Sequence, residues 1–248
     1  MKLTSLVATT VVLLAAHLTQ NIQARYVSVT KKPNRCYNGD EVQFTQYWIP
    51  KQNTDDVDDN GNILHLTGPK IKKLLMENGQ VIANVDDETY AKCEEEGTCL
   101  LQNGELINSA EIPTRFTVLD TKRYPFGQGA WNNALVPFVS VASNDLPQGT
   151  TLFVKELEDF RLPNGKVHNG CVRVDDQGAG QSFGNCHVDF FLLEYTFEVI
   201  MNPKLPEQAH IEVCDCQLLD YVTVDITQWI SYDPKAPKRR HYHGRRSH

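Results

Sequence analysis

The feature that most constrains the fold is a set of Asn-Gly dipeptides spread along the chain. Six of them occur, beginning at Asn38, Asn60, Asn78, Asn103, Asn164 and Asn169. Between alternating apolar runs, Asn-Gly favours a two-residue turn with positive φ angles, which is the strongest short-range signal of an antiparallel hairpin. We therefore expect a chain built mostly of short antiparallel strands.

Two hairpins are predicted with defined flanks, one joining 74–75 to 81–82 and the other joining 100–101 to 106–107. Runs of β-branched and aromatic residues, which strands prefer, predict further strands at 151–154, 171–174, 187–192, 195–200 and 221–226. The one predicted helix is Asp87–Glu96, with Asp86 or Asp87 as its cap and Gly97 just past its end. Strands without alternating helices indicate a barrel or a sandwich.

The N-terminus predicts a secretory signal peptide. Lys2 precedes an almost unbroken apolar run over 3–18, and Ala24 is a small residue at the expected cleavage point. That run is too short for an anchor, and no later segment is apolar enough to cross a bilayer. The expected boundaries are a signal peptide at 1–24, one domain at 25–232 and a disordered, basic, His-containing tail at 233–248. We expect a secreted, extracellular protein whose mature form has no membrane-bound part.

Seven cysteines in an exported chain predict disulfides, because the secretory route is oxidising. The odd number leaves at least one cysteine unpaired. Cys171 and Cys186 bracket the most polar motif and are expected to pair, although spacing alone does not determine connectivity. A zinc site is the weaker interpretation, because the Cys214 and Cys216 pair is too closely spaced and no second pair lies nearby.

The net charge of −7 conceals a basic C-terminus. The last sixteen residues carry six Lys and Arg side chains against one Asp. The remaining body is strongly acidic, which argues against nucleic-acid binding by the domain, since phosphate contacts need clustered Lys and Arg. The basic tail fits either dibasic processing or a nuclear-directing patch.

Three segments in a fixed order carry a family resemblance: Leu-Pro-Gln-Gly-Thr at 146–150, a Gly-rich loop at 176–184 and Val-Asp-Phe-Phe at 188–191. They resemble the Asp-Asp-Asp (3D) domain family, which includes the catalytic domain of membrane-bound lytic transglycosylase A and the stationary-phase muralytic domains. Asp176 matches the loop aspartate of that family and Asp189 its strand aspartate. The family's first aspartate falls near Ala142, so it is missing or displaced to Asp145, and the loop lacks the family's Ile-Lys pair.

The resemblance implies a mainly β fold, a double-psi β-barrel with N-terminal hairpin additions and one short helix. It implies catalytic roles for Asp189 and Asp176. The candidate substrate-binding residues are Gly178, His187, Trp131 and Tyr47. The aromatic rings could stack on sugars or belong to the core or its rim. No cofactor and no metal are expected.

The residues of the last motif support a chemical role without the family. Alternate side chains of a strand share a face, so His187, Asp189 and Phe191 lie on one side. A carboxyl group beside an aromatic ring and near Asp176 would have a raised pKa, as a general acid needs. The alternative is a half-exposed strand whose polar face simply meets water.

Two functions remain open at this point. The first is lytic transglycosylase-like cleavage of a β-1,4-linked amino sugar chain, peptidoglycan or chitin-like, in which one carboxyl group acts as acid and then as base. The second is a non-catalytic secreted polysaccharide-binding or effector protein on the same barrel, with a nuclear-directing tail. The oligomeric state is not predicted.

The acidic segment at 56–61 copies the start of an EF-hand calcium loop, with Asp56, Asp58 and Asn60 at alternate positions. The twelfth position is Thr67 instead of a bidentate Glu. We therefore interpret the segment as a solvated acidic loop and expect no calcium.

Overall fold

Residues 36–178 and 183–231 are described by a computed structural model. The predicted signal peptide at 1–24, the tail at 233–248 and the part of the Gly-rich loop at 179–182 lie outside the described residues. In the described ranges, no helix combines the length and the apolar character that a membrane span requires.

Strands are the main regular secondary structure of the described chain. The strands are β1 (Asn38–Trp48), β2 (Asp55–Val57), β3 (Ile63–His65), β4 (Lys72–Leu75), β5 (Val81–Val85), β6 (Thr98–Leu100), β7 (Leu106–Ser109), β8 (Phe116–Val118), β9 (Ser140–Ala142), β10 (Thr151–Arg161), β11 (Val167–Asp176), β12 (His187–Leu193) and β13 (Gln208–Val213). The helices are α1 (Asp87–Glu96), α2 (Tyr195–Met201), which a 3₁₀ turn (Asn202–Lys204) follows, and α3 (Val224–Thr227).

Six strands close into a barrel in the order β1-β12-β9-β11-β10-β13. The pairs β1–β12 and β9–β11 are parallel, and the other neighbouring pairs are antiparallel. In chain order the barrel strands are β1, β9, β10, β11, β12 and β13. Exchanging β1 with β11, β9 with β12 and β10 with β13 gives the same set of neighbouring strands, so the topology has an internal two-fold symmetry. The predicted fold class, a mainly β barrel, is confirmed, but the hairpins expected as N-terminal additions follow the first barrel strand, β1, and are an insertion between β1 and β9.

The barrel closes around alternating apolar residues. Phe44 of β1, Val174 of β11 and Phe190 of β12 are buried, and the ring centroids of the two phenylalanines lie 6.0 Å apart. Gly39 and Gly170, each from an Asn-Gly dipeptide, take φ angles of 93° and 84° beside breaks in strand register. Such bulges bend a strand and increase its twist, which closure of a small barrel needs.

The region between β1 and β9 forms three smaller sheets, β2–β3, β4–β5 and β6–β7–β8. The two predicted hairpins are confirmed as β4–β5 and β6–β7. The predicted helix is confirmed as α1, where the Asp86 carboxylate accepts from the Thr89 amide at 2.9 Å and Gly97 ends the helix with a φ of 72°. Hydrogen bonds from Leu100 N to the Pro50 carbonyl and from Gln52 N to the Leu100 carbonyl, both 2.9 Å, join these sheets to the end of β1.

Two of the predicted strands are wrong, so the described chain has more than the one expected helix. The run at 195–200 is α2, where Tyr195 packs on Trp48 and Phe197 packs on Phe138, each at 5.4 Å between ring centroids. The run at 221–226 ends in α3, whose N-cap Thr223 accepts from the Ile226 amide. In both places packing and capping outweigh the β preference of the side chains.

Three disulfides join Cys36 to Cys186, Cys93 to Cys99 and Cys171 to Cys216. Cys214 is the free cysteine, so the expected odd thiol is confirmed. The expected pairing of Cys171 with Cys186 is wrong. β9 lies between β11 and β12, and strands separated by another strand are about 10 Å apart, beyond the reach of a disulfide.

Candidate active site

The candidate catalytic residues lie in one row across four barrel strands. Thr45 of β1 pairs with Asp189 of β12, Asp189 pairs with Ala142 of β9, and Ala142 pairs with Asp176 of β11. Residues that pair directly across a sheet point to the same face. The structure therefore brings Asp189 and Asp176 together, with Ala142 between them.

A β-bulge turns Asp176 toward this row. Val174 pairs with Val141, but the next pair along is Asp176 with Ala142, so Asp175 is the extra residue of β11. Simple alternation would have placed Asp176 on the face of Val174, inside the barrel. Asp175 is anchored on its own partners, with Ser140 Oγ at 2.6 Å and the Arg173 guanidinium at 2.7 Å. Bulges often re-aim a side chain at an active site.

Thr45 connects Asp189 to His187 through its hydroxyl group. The Thr45 Oγ1 donates to Asp189 Oδ1 at 2.8 Å and lies 2.7 Å from His187 Nε2. Because the hydroxyl has one proton, we assign Nε2 of the neutral imidazole as the donor to Thr45. No hydrogen bond from a described residue reaches Asp189 Oδ2, so Thr45 holds only one oxygen of this carboxyl group.

Asp176 is held by two backbone amides and a phenol. Ala130 N and Gln177 N donate to its Oδ1, each at 2.9 Å, and the Tyr47 hydroxyl donates to Oδ2 at 3.2 Å. A Cβ on Gly129 would lie 2.2 Å from the Asp175 carbonyl oxygen, so only glycine lets this loop approach β11 closely enough. The Gly-rich stretch before Trp131 therefore serves the site by docking on β11.

Burial raises the pKa of Asp189 from its ordinary value of 3.8 to about 7. Loss of hydration is the main cause, the Thr45 hydrogen bond opposes it, and the negative charges of Glu96 and Asp176 add to it. Burial likewise raises the pKa of Asp176, against the amide and phenol hydrogen bonds that favour its charged form. Asp189 is thus the carboxyl group of the pair that is suited to carry a proton near neutral pH.

Two other titratable groups around this row, His187 and Tyr47, remain uncharged. Burial lowers the pKa of His187, which keeps the imidazole neutral. Burial and the carboxylates of Asp176 and Asp189 raise the pKa of the Tyr47 phenol well above its ordinary value. The Tyr47 ring also lies 5.1 Å from that of Phe191, on the same face of β12 as Asp189. The site therefore combines neutral donors with two carboxyl groups.

Glu96 is a third acidic group at this site, and the sequence argument missed it. Its negative charge contributes to the raised pKa of Asp189. It lies at the end of α1 and accepts from the buried Lys92 Nζ at 2.8 Å. Glu96 is far from Asp189 in the chain, so only the tertiary fold brings it near, whereas Thr45 could have been found by alternation from Tyr47.

The remaining sequence-predicted site residues have mixed surroundings. Trp131 is partly buried and packs on the barrel core, one residue after the Ala130 amide that holds Asp176. Gly178 lies under the Phe183 ring, because a Cβ there would meet that ring at 2.0 Å. Phe183 in turn stacks on His187 at 4.0 Å between ring centroids. Trp131 thus lies beside the row, and an aromatic ring covers Gly178.

Asp145, the other position considered for the family's first aspartate, serves a different part of the fold. It accepts from the Tyr37 hydroxyl at 2.7 Å, from Ser143 Oγ at 2.9 Å and from Cys186 N at 3.0 Å. Among the described residues, one group of potential metal ligands lies within 4.8 Å, formed by Cys36, Asp145 and Cys186. Its two cysteines share a disulfide, so their sulfurs are not available as thiolate ligands.

The acidic loop that copies an EF-hand start is a turn between β2 and β3. Asp58 accepts from the amides of Asn60 and Asn62 at 2.9 and 2.8 Å, which closes the turn. Asp56 is buried and accepts from Trp48 Nε1 at 3.1 Å. The two carboxylates therefore serve separate local contacts instead of converging on one point.

No protein-family model and no curated protein matches the chain. Among solved structures it is similar to MltA from E. coli, at 16% identity and a TM-score of 0.35, over 61% of this chain and 65% of that one. It is similar to E. coli MltA with bound chitohexaose, at 14% identity and a TM-score of 0.42, over 70% of this chain and 71% of that one. It is also similar to the membrane-bound lytic murein transglycosylase from Agrobacterium tumefaciens, at 12% identity and a TM-score of 0.40, over 68% of this chain and 72% of that one. The chain spans just under two thirds of the length of the first of these structures.

Proposed function

We propose that this chain cleaves a β-1,4-linked amino sugar polymer without using water, with Asp189 as the proton donor and then the proton acceptor. The observation that carries the proposal is the Asp189 carboxyl group, with a pKa of about 7 and a row partner in Asp176. A carboxyl group with that pKa exchanges a proton readily near neutral pH.

The proposed reaction uses one carboxyl group twice. Asp189 gives its proton to the glycosidic oxygen while the bond from that oxygen to C1 of the sugar breaks. The 6-hydroxyl oxygen of the same sugar bonds to C1, and its proton returns to Asp189. The products are an anhydro-sugar end and a new hydroxyl end, and the enzyme regains its starting state. Ordinary glycosidases differ because they use a pair of carboxyl groups and a water molecule.

The neighbouring residues would hold this carboxyl group and the sugar in place. Thr45 orients Asp189 Oδ1, so that Oδ2 faces the bond to be cleaved. Asp176, anchored by two amides, supplies a fixed negative charge for the positive charge that develops on the sugar ring. Tyr47 and Trp131 provide the aromatic faces against which sugar rings would pack.

The substrate class is proposed from the segments that resemble the 3D family, and it comprises peptidoglycan and chitin-like chains. These polymers lie outside cells, which agrees with the export that the apolar run at 3–18 predicts. Secretion is thus part of the proposal.

One specific observation favours a second candidate function, glycan binding without cleavage. Ala142 occupies the row position between Asp189 and Asp176. The pattern of the 3D family has its first aspartate near this position. A methyl group there neither donates nor accepts a proton. In this alternative the barrel is a secreted polysaccharide-binding or effector protein.

The test is incubation of the purified protein with peptidoglycan and, separately, with chitin, followed by mass spectrometry of the soluble fraction. Asp189→Asn keeps the shape of the side chain and removes its proton chemistry. Asp159→Asn is the matched control, because Asp159 is exposed and its φ of 58° is one that Asn tolerates. Anhydro-sugar ends released by the wild type and by Asp159→Asn, but not by Asp189→Asn, would support cleavage. Cosedimentation with the polymer and no release would support the binding alternative.

A further inference from the structure

A cavity of about 660 Å³ lies away from Asp189, between the end of β12, the helices α2 and α3 and the turn between β10 and β11. Its lining includes Lys51, Glu194, Phe197 and Trp229 and none of the row residues. Leu193, the β12 residue that lines the cavity, is four residues beyond Asp189, which is about 13 Å along a strand. This volume falls in the range of pockets that bind small organic ligands.

The cavity is arranged in layers. Leu193, Ile226 and Trp229 are buried and form an apolar floor. Half-buried Phe197 and Lys51 form the walls, and exposed polar residues form the rim. An apolar floor with a few polar groups above it suits a ligand that has one apolar face and polar edges.

The charges in the wall favour an uncharged ligand. Burial lowers the pKa of Lys51, and the nearby carboxylate of Glu194 opposes that shift, so these two charges compensate each other in the wall, while the third charged lining residue, Asp225, is exposed on the rim. A charged ligand would lose its hydration and meet a like charge in the same wall. An uncharged ligand rich in hydroxyl and amide groups could hydrogen-bond to both side chains without that cost.

Two features of the floor indicate that it is not simply well-packed core. The Trp229 Nε1 is buried, and no described residue accepts its proton. Buried donors are almost always paired, so a ligand oxygen that reached the floor would supply the missing acceptor. Leu193 holds a φ of 82°, and such strain in a non-glycine residue clusters at ligand sites.

We propose that this cavity binds one N-acetylated sugar residue of a glycan, at a site separate from the cleavage row. The apolar face of the ring packs on Phe197, the hydroxyl groups bond to Glu194 and Lys51, and the acetamido carbonyl oxygen accepts from Trp229 after a small shift of the wall. The choice of an amino sugar rests on the proposed function, while the preference for an uncharged polar ring rests on the cavity itself. The site would hold the polymer while Asp189 acts elsewhere on it.

The test is titration of the ¹⁵N-labelled full chain, in the Asp189→Asn background to prevent turnover, with N-acetylglucosamine trimer. The chain has three tryptophans, so its indole N–H groups give three NMR signals, and Trp229→Phe identifies the one from the cavity. We expect a saturable shift of the Trp229 signal and a loss of at least tenfold in affinity at this site in Phe197→Leu. Cellotriose, which lacks the acetamido group, should bind there at least tenfold more weakly.

An unchanged Trp229 signal while the Trp131 signal shifts would overturn the proposal, because binding would then be confined to the cleavage row. Equal affinity for cellotriose would overturn the acetamido assignment. The unperturbed Trp48 and Trp131 signals of Phe197→Leu serve as the check that this variant is folded. Saturable binding at Trp229, together with a wild-type protein that releases no anhydro-sugar ends, would reject the cleavage function and leave this site standing, so the two failures are distinguishable.

Discussion

Thr45 Oγ1 lies 2.8 Å from Asp189 Oδ1 and directs its only hydroxyl proton at that carboxyl group, across the parallel pair β1–β12. The same oxygen contacts His187 Nε2 at 2.7 Å, so a neutral imidazole orients the hydroxyl. This arrangement stabilises the charged form of Asp189, whereas burial opposes it. The pKa of Asp189 is therefore the result of opposing contributions that substitutions can separate.

Replacing Thr45 by Val removes the hydrogen bond and keeps the shape of the side chain. Because that bond lowers the pKa of Asp189, its loss should raise the pKa further. The alkaline limb of the kcat/KM profile for anhydro-end release should move upward by roughly half to one pH unit. Thr45→Ser retains the hydroxyl and should leave the limb in place. A limb that moves downward in Thr45→Val would show that Thr45 does not stabilise the Asp189 carboxylate.

Asp189→Asn should make the protein more stable at alkaline pH. The folded pKa of about 7 lies above the ordinary value of 3.8. Burial of Asp189 therefore costs no stability below pH 3.8, and the unfolding free energy falls as the pH rises from 3.8 through 7. At pH 8 the variant should gain between about 1 and 4 kcal/mol in unfolding free energy, and near pH 3.5 the gain should vanish. Urea unfolding at both values measures this. A gain that is the same at pH 3.5 and pH 8 would count against a raised pKa.

His168 makes the fold sensitive to acid. It is buried, its Nε2 lies 2.8 Å from the Phe138 carbonyl oxygen and its Nδ1 accepts from Gly170 N at 2.9 Å, so the ring is neutral. Burial lowers its pKa from 6.5 to about 4. As the pH falls, His168 is protonated in the unfolded chain before it is protonated in the folded one. The unfolding free energy should therefore fall by about 3 kcal/mol as the pH drops from 7 to 4.

His168→Gln provides the control for this acid sensitivity. The variant should be less stable at pH 7, yet it should lack the part of the pH dependence between 4 and 6.5 that His168 causes. Denaturant unfolding at several pH values separates the two effects. An unchanged pH dependence in the variant would assign the acid sensitivity to other groups.

The Cys171–Cys216 disulfide closes a loop with a sequence separation of 45 and should stabilise the fold. Cys171→Ser should lower the unfolding free energy by about 2 to 5 kcal/mol. Cys214→Ser is the matched control and should change it by less than about 0.5 kcal/mol, since Cys214 is the free thiol. Peptide mapping without reduction should recover Cys171 linked to Cys216. A recovered Cys171–Cys186 peptide would contradict the strand order of the barrel.

Local turn chemistry explains which parts of the fold the sequence could predict. Asn60, Asn78, Asn103 and Asn164 each lie in a turn between two adjacent antiparallel strands, and the glycine that follows each of them takes a positive φ, which is a local property of glycine. Asn38 and Asn169 carry the same signal but lie in barrel strands, where the following glycine accommodates a bulge. A dipeptide pattern does not distinguish a turn from a bulge.

Tertiary contacts explain what the sequence could not predict. The face of Asp176 depends on a bulge at Asp175, and the effect of Glu96 on Asp189 depends on how α1 meets the barrel. Tyr195 and its neighbours form a helix because they pack on aromatic rings distant in the chain. The Asp189 face of β12 was predictable, since alternation along a strand is again a local property.

The most direct test of the account is the pKa of Asp189 itself, measured by NMR titration of ¹³C-labelled carboxyl groups, with Asp189→Asn to identify its signal. We predict an apparent pKa of about 7 in the wild type. In Asp176→Asn the value should be lower, because the negative charge of Asp176 contributes to the raised pKa of Asp189. An Asp189 signal that titrates near the ordinary value of 3.8 would contradict the assignment of this residue as a proton donor at neutral pH.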